Sequence, residues 1–303
     1  MSCLTKLSVS TAFIKEFNVL DSRLAALAAH MSAMASTYSW VAPANHYLDG
    51  AEASDRSTIS FRASVRVWPG TAVWLPAFFA KMALMQPIDA ERTASSVAEM
   101  LQASPDTQPV RAALGKTSVD DILFVGEHFF KPDGLTPSRW AQVEEFQSIA
   151  DNYGRNDQCF GFGDEGGLTL ETPFGSDSAL IRLLSDVPHP ALGNGLLTSI
   201  QLPFTYDEDE ATRIASELNL RASALGATNA TLLGSWHPRE IRGAWAPAYG
   251  SFIPNALYNR GLATNMALWA VDLAQWARAE VWPQLTNEKM ITILNRRRIH
   301  SVR

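Results

Sequence analysis

Histidine, cysteine and clustered carboxylates are the side chains of this 303-residue chain best equipped to bind a metal or move a proton. Its six histidines are His30, His46, His128, His189, His237 and His300. None pairs with another across one helical turn around a Glu, the spacing that presents two imidazoles to one zinc ion, and no Cys/His cluster has ligand spacing. No metal and no cofactor are expected. Cys159 stands beside Phe160 in a short apolar run and reads as a small core residue, not a nucleophile. Ser178, Ser199 and Ser235 lack the Gly-x-Ser-x-Gly elbow. Gly115-Lys116-Thr117 ends like a phosphate loop, but the motif also needs Gly where Val110 stands, so this is a loop with a solvated Lys. Asp207-Glu-Asp-Glu210 gathers four carboxylates at a helix start, where they complement the positive end of the macrodipole. It lacks the interleaved Gly of a calcium loop. No catalytic residue is assigned.

Two segments keep a binding reading. In Pro188-His189-Pro190, followed by Gly193 and Gly195, fixed and permissive backbones meet within eight residues. The segment is either a rigid ligand rim or a long hairpin turn with His189 packed on it. Trp236-His237-Pro238-Arg239 offers a Trp and an Arg, both common interface anchors, though a Trp in a core strand fits equally. His189, His237 and Arg239 therefore form the candidate ligand rim, with Asp207 as a further polar group for a pocket.

The elements that must hold these residues are read from periodicity. In the first half, a helix is expected over Asp21–Ser36 and an alternating strand over Ile59–Val67. Val73–Ile88 then reads as strand, Asp89–Gln102 as helix, Ala103–Ser118 as loop, Ile122–Phe130 as strand and Pro137–Ala150 as helix. In the second half, strands are expected over Cys159–Phe162, Leu168–Thr172, Ala179–Leu184 and Leu196–Phe204. A helix over Asp207–Ala222 and strands over Thr231–Trp236 and Ser251–Ile253 follow. The last core helix runs from Leu262 to Trp282 and stops at Pro283. Met266, Trp269, Leu273 and Trp276 recur on it at spacings of three and four, which is a packing seam.

Two stretches nearly repeat one another. Met82-Ala-Leu-Met-Gln-Pro-Ile-Asp89, with Ala94, Val97, Ala98 and Leu101, matches Thr198-Ser-Ile-Gln-Leu-Pro203, with Asp207, Ala211, Ile214, Ala215 and Leu218. Each reads as a strand ending at Pro, an acidic start signal and an amphipathic helix, which implies two copies of one unit. Short turns between sequential strands exclude a parallel sheet. The expected fold is therefore α+β: two tandem copies of an antiparallel sheet with helices packed on one face. The first copy covers 1–150 with a bridging helix, and the second covers 151–303 with a basic tail at Arg296–Arg298.

This element order resembles the class I type III secretion chaperone fold and the related YbjN-like domains, over Cys159–Trp282 and less fully over Asp21–Phe130. The resemblance implies a small cytoplasmic module that binds a stretch of a partner polypeptide, with the usual chaperone dimer made inside one chain. A monomeric pseudo-dimer, or a dimer through an additional surface, follows.

Composition sets the remaining bounds. Hydrophobic residues make up 47% and charged residues 18%, which is globular, and a net charge of −6 disfavours nucleic acid and anionic membrane. Two cysteines are too few for a disulfide framework and suggest a reducing compartment. Met1–Asn18 shows no continuous apolar run of signal type. The leading expectation is a non-enzymatic polypeptide-binding module, its partner surface formed by Trp236, Trp245, Met266, Trp269, Leu273 and Trp276. The alternatives are an enzyme or small-ligand binder with a pocket between the halves, and a structural subunit whose nine Trp are interface material.

Overall fold

A computed structural model describes residues 6–17, 40–43, 57–66, 72, 75–80, 82, 86, 143–154, 160–164, 166–175, 177–189, 193–224 and 233–283. The helices expected over Asp21–Ser36 and Asp89–Gln102, the strand Ile122–Phe130, the Gly115-Lys116-Thr117 loop, Cys159 and the basic tail lie outside these residues. So do His30, His46, His128 and His300.

Strands β1 (Lys6–Phe17), β2 (Trp40–Pro43) and β3 (Ser57–Arg66) form an antiparallel sheet in the order β1-β3-β2. The larger unit begins with helix α1 (Val143–Gly154). Four strands follow as a meander: β4 (Phe160–Asp164), β5 (Gly167–Phe174), β6 (Asp177–His189) and β7 (Gly193–Gln201). Helix α2 (Glu208–Ala224) then leads to β8 (Ser235–Ile241), β9 (Ala244–Pro254) and helix α3 (Leu262–Trp276). All pairs are antiparallel, in the order β4-β5-β6-β7-β9-β8. The class is α+β, and the helix, four strands, helix, two strands, helix order of the second half is as expected.

Prolines explain where the ladder breaks. Pro238 pairs with Pro247 in the middle of the β8–β9 hairpin. A strand Pro is tolerated only where no donor is needed. Pro247 falls where β7 has left the sheet after Gln201, and pairing on that side resumes at Tyr206 and Trp245 through bonds of 2.7 and 3.1 Å. Pro238 lies on the outer edge strand, where its missing N–H interrupts no ladder. β8 therefore continues past the expected end at Trp236 to Ile241, and β9 starts at Ala244, ahead of the expected Ser251. Arg242 and Gly243, at φ 53° and 82°, turn the hairpin.

One face of the sheet carries the core. Pairing puts Leu168, Leu170, Phe174, Ala179, Ile181, Leu183, Leu196, Ile200, Tyr249, Ile253 and Trp236 on one side, all buried. α3 lies across β5, β6 and β7 on that side, α1 lies on β4 and β5, and α2 lies along β8 and β9. α3 ends in a π turn (Ala277–Val281), after which Trp282 stacks on Phe204 with centroids 3.7 Å apart and planes 6° from parallel.

One expectation is corrected. Residues 75–80 are helical, as are Ala72, Met82 and Gln86, so the described residues of Val73–Ile88 do not form the expected strand. Leu75, Phe78, Phe79 and Met82 are buried while residues 76, 77 and 80 are exposed, which is helical spacing, not alternation. These four residues join the same core as Phe146 and Leu170. Met82 opens the first copy of the proposed repeat, and its counterpart, Thr198, lies in strand β7. The match between the two segments therefore fails at its first element. Among the described residues, no helix is long and apolar enough to cross a membrane.

Candidate functional site

The aromatic seam expected to meet a partner meets the protein's own sheet instead. Met266, Trp269 and Leu273 are buried against the core face, and Trp236 is 0% exposed under it. A cavity of about 10 Å³ lies among Thr198, Tyr249, Met266, Trp269, Ala270 and Leu273, room for one water and for no metabolite. Trp276 is half-buried against the same core, and Trp245 is half-buried beside its bridge to Tyr206. Four of the six proposed partner residues are thus interior. The reason is that α3 is apolar almost all round: ten of its residues are buried, and among its large hydrophobics only Leu268, at 42%, stands out.

The two described histidines lie on the opposite, outer face, His189 against Phe252 and His237 over Gly250. His189 stacks on Phe252 with centroids 4.9 Å apart. β7 runs between their strands, and a Cβ at Gly195 would meet the Phe252 ring at 2.6 Å and the Ile253 carbonyl at 2.5 Å. Only glycine leaves room there for the Phe252 ring on which His189 stacks. The segment is the hairpin with His189 packed on it, and burial lowers the His189 pKa. His237 lies over Gly250, where a Cβ would meet its Cε1 at 2.6 Å. Its Nδ1–H donates to the Ser235 carbonyl at 3.4 Å. Burial, with the Arg239 cation adding to it, pulls its pKa down to about 4 against the pull of that hydrogen bond.

The proposed rim does not converge. His189 pairs with Gly193, whereas His237 shares a row with Ala248 and Gln201. Gly193 and Gln201 are eight residues apart on β7, about 26 Å along the strand. Arg239 is exposed two residues beyond His237. Asp207 is spent as a helix cap, its Oδ1 accepting the Glu210 N–H at 2.8 Å. Among the described residues, no three His, Cys, Asp or Glu side chains gather as metal ligands.

What sequence reading missed is an apolar row on this outer face. Leu184 pairs with Leu197, and Leu197 with Phe252. Val187 occupies the next row, opposite Gly195. Leu184 is 36% exposed, and Leu197, Val187 and His189 are half-buried. Beside the row run Thr169, Arg182 and Ser199, with Arg182 exposed. The available signal was the doublets Leu183-Leu184 and Leu196-Leu197. Strand side chains alternate, so one Leu of each doublet must face outward.

The outer edge of β8 is closed at its centre. The Asn219 carboxamide of α2 donates to the Trp236 carbonyl at 2.7 Å and accepts the Trp236 N–H at 2.8 Å. It occupies the two backbone groups that an added strand would need, and Pro238 supplies no donor next to them. No family model, no curated protein and no solved structure matches the chain.

Proposed function

We propose that the chain is a non-enzymatic, polypeptide-binding module working in the cytoplasm, with the outer face of the six-stranded sheet as its partner surface. The observation that carries the reading is the partly exposed row Leu184–Leu197 with Val187, beside the exposed Arg182. Apolar area left open beside polar neighbours marks interaction surfaces. The blocked β8 edge favours docking of side chains on the face over addition of a strand at that edge. Element order from α1 to α3 supports the resemblance to secretion chaperones. With the internal match lost at Met82 and Gln86, the pairing of two copies within the chain gives way to a single acting module. That module is monomeric, or dimeric through an additional surface.

The test is affinity capture from the native cytoplasm on wild-type and Leu184→Glu baits, read by mass spectrometry. At least one protein should be recovered by wild type and lost with Leu184→Glu, while the two baits melt within about 2 °C of each other. Recovery of the same proteins on both baits would overturn the proposal.

A further inference from the structure

We draw no further inference here: the strongest candidate, the partly exposed apolar row of Leu184, Leu197 and Val187 on the outer sheet face, belongs to the surface already proposed for a partner, and nothing in the structure shows the chemistry of what covers it.

Discussion

His237 gives the clearest consequence at the level of single residues. Its pKa falls from an ordinary 6.5 to about 4, because burial over Gly250 disfavours the charged ring. The unfolded chain therefore binds the proton first, and stability falls as pH drops from about 6.5 towards 4. The full penalty is on the order of 3 kcal/mol. Denaturation of wild type and His237→Gln at several pH values should show a wild-type loss across this window that the variant lacks. Parallel curves would place the burden on other groups. Gly195 is equally exacting: Gly195→Ala should cost about 1–3 kcal/mol, as overpacking does, because backbone and ring both block the new methyl. Thr198 runs the other way. Its buried hydroxyl has no hydrogen-bond partner among the described residues, so Thr198→Val should stabilise the fold by about 1 kcal/mol in urea titrations.

Elements were legible wherever one period ran uninterrupted. Leu168–Thr172 alternates, Ala179–Leu184 is a short apolar run broken only by Arg182, and both are strand. Strand β6 outran its expected end because Asp186, at φ 56°, sits in a bulge that carries pairing past Ser185 to His189. Strand β1 escaped notice for a related reason, since register shifts after Ala12 and Ile14 break its alternation. The 75–80 helix lies in an apolar run too dense for the sequence to show a helical period. For α3 the stripe itself was legible, but its cover was not, because a seam looks the same whether a sheet or a partner fills it. The structure supplies the sheet. Trp269→Ala should accordingly cost about 3–5 kcal/mol of stability, measured by thermal or denaturant unfolding. A variant that kept its melting temperature would return α3 to the list of partner surfaces.

For the whole molecule, helices cover one side of the larger sheet while the β5–β7 part of the other side stays partly open. The candidate site was illegible as a site because its residues come from strands that only the fold makes neighbours, whereas the histidines that drew attention lie at separate rows. The most direct measurement places a photo-crosslinking amino acid at position 184 on the outer face and, separately, at position 268 on the exposed side of α3. Both positions are accessible, so both variants should fold, and only their layer differs. A specific protein adduct is expected from position 184 and not from position 268. Adducts from position 268 alone, or equally from both, would contradict the outer sheet face as the partner surface.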